Sequence, residues 1–209
     1  MRIVLLALIS WLIAQPMPAS AKDDLKYAID TVVGAKQSQY QQAFEILLQD
    51  GSIAGRYYLG VMYYKGLHTE PDFHKAKHLF QIASSNGYPE ADYYLGLMYR
   101  HGEGGEADAQ LSYRHFLLAG QNGHARAQFE LGSLFEQGTY GKKQPYQARA
   151  WYKHAANQSH PEALFRLARM YQLGIGGEVN SPAAHAAFVE AAQLGHQQAA
   201  QILANHYSD

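Results

Sequence analysis

The sequence predicts an all-α fold, a right-handed superhelical solenoid of antiparallel helix pairs. Three observations carry this. Matching side chains recur at a constant spacing of 36 residues, as Leu59, Leu95, Leu131, Leu167 and Leu203 do. Within one period the apolar positions fall at helical intervals, so that Gly55, Leu59, Met62 and Tyr63 share one face. Glycines stand where the first helix of each period should end, at Gly66, Gly102, Gly138 and Gly174. One helix pair cannot bury both of its faces, whereas a stack of pairs can, and repetition at this length marks such a stack.

Residues 1–21 read as a signal peptide. Arg2 supplies a positive start, Ile3 to Ala14 form an apolar run, Pro16 and Pro18 break it, and Ala19-Ser20-Ala21 offers a small-x-small cleavage site. The run is shorter than the roughly 17–25 apolar residues that a membrane span needs. Cleavage near Ala21 would leave a periplasmic or secreted protein with no membrane insertion.

Residues 22–50 read as a degenerate capping repeat, because Tyr27 and Phe44 precede Tyr63 and Phe80 by 36. Four full units follow at 51–86, 87–122, 123–158 and 159–194, and residues 195–209 form a C-terminal capping helix. Gly51, Gly87, Gly123 and Gly195 mark the boundaries, with Ser159 the one substitute. Each unit holds a helix A and a helix B. Helix A carries the leucine ladder, followed by Gly60, Gly96 and Gly132 (Ala168 and Ala204 later) and by Tyr63, Tyr99, Phe135, Tyr171 and Tyr207. Helix B of the first unit presents Ala76, Leu79, Phe80 and Ala83, and Phe116, Tyr152 and Phe188 continue the aromatic ladder. The small residue on helix A is expected where helix B crosses closely. Asp72 and Asp108 suit N-caps, Ser181 before Pro182 suits a cap-then-proline start, and Pro89 and Pro161 open A helices.

Composition narrows function. A formal net charge of −1 gives no basic footprint for nucleic acid. The absence of cysteine removes disulfides, thiolate metal sites and cysteine nucleophiles.

The run Ala127-Gln128-Phe129-Glu130-Leu131-Gly132-Ser133-Leu134-Phe135-Glu136-Gln137-Gly138, and Ala148 to Ala156 with its Trp151-Tyr152 pair, resemble the Sel-1-like repeat, a 36-residue relative of the tetratricopeptide repeat. Departures lie in the loop between helices A and B. The usual Gly-Val reads His68-Thr69, Gly104-Gly105, Tyr140-Gly141 and Gly176-Gly177, and the usual Asp becomes Gln144 and Asn180 in the last two units. The resemblance implies a non-catalytic protein–protein interaction scaffold or regulator in the bacterial envelope, without cofactors, whose A helices line a concave groove for a protein or peptide. A secreted host-interaction factor is the alternative. The groove set this implies is Tyr58, Val61, Tyr64, Lys65, Tyr94, Leu97, Arg100, His101, Glu130, Arg166 and Arg169. The neighbouring ladder of Tyr57, Tyr93, Phe129 and Phe165 reads either as groove or as core wedged between A helices.

Histidines are the main pointer toward chemistry. His124, His160 and His196 recur at the repeat spacing, and equivalent points on stacked helices lie about 8–10 Å apart. That is too far to share a zinc ion, whose nitrogen ligands sit about 2.0–2.1 Å away. His74 and His78 form an i, i+4 pair able to chelate, on a face opposite Phe80, and are the residues an envelope metal-binding protein or enzyme would use. No Gly-x-Ser-x-Gly, Ser-x-x-Lys, His-Glu-x-x-His or phosphate-loop pattern occurs. The loops Gly102-Glu103-Gly104-Gly105 and Gly174-Ile175-Gly176-Gly177 follow helices, so they read as turns.

Overall fold

The last carbonyls of a helix have no intrahelical partner, and this chain answers that need in the same way four times. In the computed structural model, which describes residues 19–139 and 141–206, helix α3 (Ile53–Lys65) ends at Gly66, α5 (Pro89–His101) at Gly102, α7 (Ala125–Gln137) at Gly138 and α9 (Pro161–Leu173) at Gly174. All four glycines are left-handed, with φ between 65° and 74°. The next residue then returns its N–H to a carbonyl inside the helix: Leu67 to Met62, Glu103 to Met98, Thr139 to Leu134 and Ile175 to Met170. Each loop closes with a second repeated bond, from Asp72, Asp108, Gln144 and Asn180 N–H to the carbonyls of Tyr63, Tyr99, Phe135 and Tyr171. The two closing bonds are thus shared although the loop sequences differ.

The described chain divides into two compact units, one up to Leu79 and one from Phe80, the division falling within α4 (Phe73–Ser85). The first contains α1 (Ala19–Val33), a 3-10 turn at Gln37–Gln39, α2 (Tyr40–Gln49), α3 and the start of α4. Helices α1, α2 and α3 pack on one another, burying Ala28, Val32, Ala43, Phe44, Leu47, Leu59 and Met62. Phe44 meets the Tyr63 ring edge-on at 5.3 Å. Ser52 caps α3 by accepting the N–H of Gly55, and Asp50 holds the Ser52 hydroxyl from behind. The signal-peptide segment 1–18, Tyr140 and Tyr207 lie outside the described residues. No helix among the described residues is long and apolar enough to cross a membrane.

The second unit holds A helices α5, α7 and α9 alternating with B helices α6 (Ala109–Gln121), α8 (Pro145–Ala156) and α10 (Ser181–Gln193), then α11 (Gln197–His206). From α5 onward each helix packs on the next. Phe116, Tyr152 and Phe188 are fully buried. A Cβ on Gly96 would lie 2.6 Å from the Phe116 ring, and one on Gly132 would lie 2.5 Å from that of Tyr152. The glycine ladder therefore exists because the helix-B aromatic occupies the space a side chain would fill. Asp108 caps α6 through its carboxylate. The start of α10 differs from the sequence expectation by one residue: Asn180 accepts the N–H of Ala183, and Ser181 is already helical. The loop-closing bond from Asn180 N–H to the Tyr171 carbonyl sets residue 180 at the cap, as it sets Asp72, Asp108 and Gln144 in the other units, and Ser181 falls inside the helix.

Two substitutions read this packing in opposite senses. Gly132→Ala should lower stability by about 1–2 kcal/mol in chemical denaturation, because the clash with a fixed ring outweighs the helix-propensity gain of about 1 kcal/mol. Ser159 holds φ 56° where the other boundaries have glycine, so Ser159→Gly should raise stability by up to about 1 kcal/mol.

Candidate functional site

The A helices of the second unit are joined through their aromatic ladder. Tyr93 on α5, Phe129 on α7 and Phe165 on α9 each carry a stacked imidazole from the start of the next unit. His124 lies 4.6 Å from Tyr93, His160 5.0 Å from Phe129 and His196 4.3 Å from Phe165, with interplanar angles of 26°, 13° and 17°. The same histidines are N-caps. The Nδ1 atoms of His124, His160 and His196 accept the N–H groups of Ala127, Ala163 and Ala199 at 3.2, 3.3 and 3.3 Å. A ring that accepts at Nδ1 is neutral there and carries its proton on Nε2, and His196 places that nitrogen 2.9 Å from the Glu162 carboxylate. Burial pushes the pKa of His124 and His160 below the ordinary value. Arg126 lowers both further, and the acids nearby (Glu90 for His124, Glu162 and Glu130 for His160) oppose the shift without cancelling it. The repeated histidine is a joint between units.

Three charged residues of the expected groove, Arg100, Glu130 and Arg166, are held in ion pairs. Arg100 on α5 meets Glu130 on α7 at 2.8 Å, with its guanidinium 4.6 Å over the Phe116 ring. Arg166 on α9 bonds Glu162 at 2.8 Å and reaches Glu136 on α7 at 3.9 Å. Burial raises the Glu162 carboxyl, but hydrogen bonds from Arg166 and His196 outweigh it and leave its pKa below the usual carboxylate value. Tyr152 donates to Glu136 at 2.7 Å, and burial together with that bond pushes its phenol far above the usual value. One ion pair thus joins α5 to α7, and a second group of contacts runs from Glu136 on α7 through Arg166 and Glu162 on α9 to His196 at the cap of α11.

Of the remaining expected residues, Tyr94 is half-buried and stacks face-on with Phe80 at 4.8 Å and 12°. Leu97 is half-buried against the core around Phe116 and Leu131, and His101 and Arg169 are exposed. In the first unit Lys65 is exposed, Tyr58 is half-buried with its ring 4.9 Å from that of Tyr57, and Tyr64 meets Phe73 at 5.6 Å. Val61 is only 4% exposed and Tyr57 8%, so α3 is covered on two sides and Val61 offers no surface to a partner. A cleft of about 440 Å³ opens between α5, α6 and α7, lined by Arg100, Ala107, Ser112, Ser133, Leu134 and Gln137.

One cluster was invisible in the sequence. Asp92, 5% exposed, accepts the Ser84 hydroxyl at 2.7 Å and faces His115 Nδ1 at 2.8 Å. The carboxylate stands between hydroxyl and imidazole, so the histidine is not placed to take the serine proton, as nucleophilic catalysis requires. Gln128 occupies the same position one repeat later, donating to the Gly120 carbonyl and accepting from Gln158. The position therefore satisfies buried polar groups. His74 and His78 are both exposed on α4. Among the described residues no three His, Asp or Glu side chains lie close enough to hold a metal.

A family model described as Sel1 repeat matches residues 53–88, 89–124, 125–160 and 161–196. The four matches start where α3, α5, α7 and α9 start. Among solved structures the chain is similar to a Sel1 repeat protein from Oxalobacter formigenes, at 31% identity and a TM-score of 0.75 over 79% of this chain and 49% of that one. It is also similar to a protective antigen of uropathogenic Escherichia coli with an SLR fold, at 22% identity and a TM-score of 0.75 over 86% and 39% of the two chains. An immunity protein from Pseudomonas aeruginosa gives 24% identity and a TM-score of 0.58 over 90% and 71%. The last two likenesses concern the fold. The chain spans about half the length of the first of these proteins and less of the second. No significant match to a curated protein was found.

Two of the capping histidines, His124 and His160, predict an acid-sensitive fold. Their folded pKa values lie below the unfolded value of about 6.5, so the stabilisation they give is complete above that pH and is lost as pH falls toward the folded values. Urea midpoints should drop between pH 7.5 and 5.5, and a His124→Asn, His160→Asn double variant, which keeps a cap acceptor that does not titrate, should show a flatter profile. An equal slope in both proteins would rule the joint out as its source.

Proposed function

Because the chain belongs to the Sel1 repeat family, we propose that it is a non-catalytic envelope scaffold that holds a protein or peptide on the face formed by its A helices. Sel1 repeat proteins generally act as protein–protein interaction scaffolds, and their fold is typically non-enzymatic. The observation that carries the reading is the surface of α5 and α7. Tyr94 and Leu97 stay half-exposed there, and the cleft beside Arg100 opens between helices of which α5 and α7 are already joined by the Arg100–Glu130 ion pair. Tyr and Arg dominate recognition energetics, and a surface held rigid before binding loses little freedom on complex formation. Glu130 and Arg166 serve mainly to hold this surface, while Arg169 and His101 are available to a partner. Tyr58, Tyr64 and Lys65 are assigned the same role within the first unit.

Export follows from Arg2, the apolar run Ile3 to Ala14 and the Ala19-Ser20-Ala21 site. Cleavage after Ala21 would remove the first turn of α1 and keep its buried Ala28, Thr31 and Val32.

The test is site-directed photo-cross-linking in envelope extract. A photoreactive side chain at Ser133, which lines the cleft, should give a discrete adduct, and the same group at the exposed Ala186 of α10 should not. Equal labelling at both positions, or none at Ser133, would contradict the assignment of the A-helix face.

A further inference from the structure

A second cleft, separate from the A-helix face, lies between α8 and the loop that follows α9, with a volume of about 540 Å³. The loop is pressed onto the start of α8. A Cβ on Gly176 would come 2.3 Å from the Pro145 carbonyl oxygen, and one on Gly177 would come 2.4 Å from the Arg149 guanidinium. Arg149 is fixed in turn, 4.2 Å over the Tyr171 ring and donating to the Glu178 carbonyl at 3.2 Å. At the equivalent junction one repeat earlier, the residue in Arg149's place is Tyr113. It meets Phe135 edge-on at 6.2 Å, and the cleft there is only about 210 Å³. The later junction thus holds a cation over an aromatic ring where the earlier holds an aromatic pair, and its cleft is the larger of the two.

The open cleft is bordered by apolar surface that the fold leaves uncovered. Tyr146 is 77% exposed and Val179 62% exposed. Tyr146, Arg149 and Lys153 stand at i, i+3 and i+7 on α8, so they form one stripe along the cleft. Charge favours one sign of ligand. Arg149 and Lys153 line the cleft against Glu178 alone. This cationic pair belongs to a chain whose formal net charge is −1.

We propose that the cleft between α8 and the α9–α10 loop is a docking site for an acidic peptide segment bearing one large apolar side chain. The apolar side chain packs on Tyr146 and Val179, and the flanking carboxylates meet Lys153 and the edge of Arg149. Charge-assisted contacts of this kind raise the encounter rate and weaken with salt.

The test uses a short fluorescein-labelled peptide of aspartates and glutamates around a single leucine, titrated by fluorescence anisotropy. Two controls replace the acids by lysine or the leucine by glycine. Binding should favour the acidic leucine peptide over both controls and weaken as salt is added. Tyr146→Ala and Lys153→Glu should each weaken it at least about fivefold, with the melting temperature unchanged, while Lys153→Arg should retain it. Failure of the acidic leucine peptide to bind better than the controls, or wild-type affinity in Tyr146→Ala and Lys153→Glu, would overturn the proposal. Self-association of the chain abolished by Tyr146→Ala would also overturn it, by assigning the patch to a second copy.

Discussion

The rest of the structure depends on how closely neighbouring helices approach one another. Within a pair, the aromatic residue of helix B lies against a position of helix A that carries no side chain, as Phe116 does against Gly96 and Tyr152 against Gly132. Between pairs, the capping histidine of one unit lies flat on the aromatic residue of the unit before it. Both contacts need a fixed distance and a fixed angle, which is why both recur at the same interval. Without a disulfide to hold the units together, packing carries the second unit from α5 to α11.

These joints decide what the A-helix surface can offer. Arg100 pairs with Glu130 and Arg166 with Glu136 between neighbouring A helices, while Glu162 holds Arg166 from its own helix, so their effect is to brace the face. Half-exposed ion pairs of this kind add little stability each, and those that join two helices act mainly by restricting how the helices shift. In the proposed scaffold role, recognition falls to the cleft beside Arg100, to exposed charges such as Arg169 and to the aromatic edges that remain uncovered. The buried Ser84–Asp92–His115 cluster makes the same point in polar form: residue types associated with catalysis here satisfy one another's hydrogen bonds.

The fold was legible because its cause is periodic. The leucine, glycine and aromatic ladders report contacts made once per repeat, and the closing glycines report a backbone conformation that few other residues adopt. Less regular features were hidden. Nothing local shows that Arg100 will find Glu130, since that contact joins residues 30 apart whose partnership depends on how two A helices are offset. Val61 looked available because helical spacing from Leu59 identifies one buried face, whereas α3 is buried on two. The histidine ladder was visible as a ladder, but its role as cap and stacking plate required coordinates. Asn180 and Ser181 are both good caps, and only the backbone decides between them.

The joint between units can be measured without disturbing the cap. A double-mutant cycle on Phe129→Leu and His160→Asn leaves an acceptor at position 160, and the cycle cancels what Phe129 loses elsewhere, its contact with Tyr152 included. The account predicts a coupling free energy of about 0.5–1.5 kcal/mol between the two positions in chemical denaturation. A coupling indistinguishable from zero would mean that stacked rings do not bind one repeat to the next, and would contradict the account at its base.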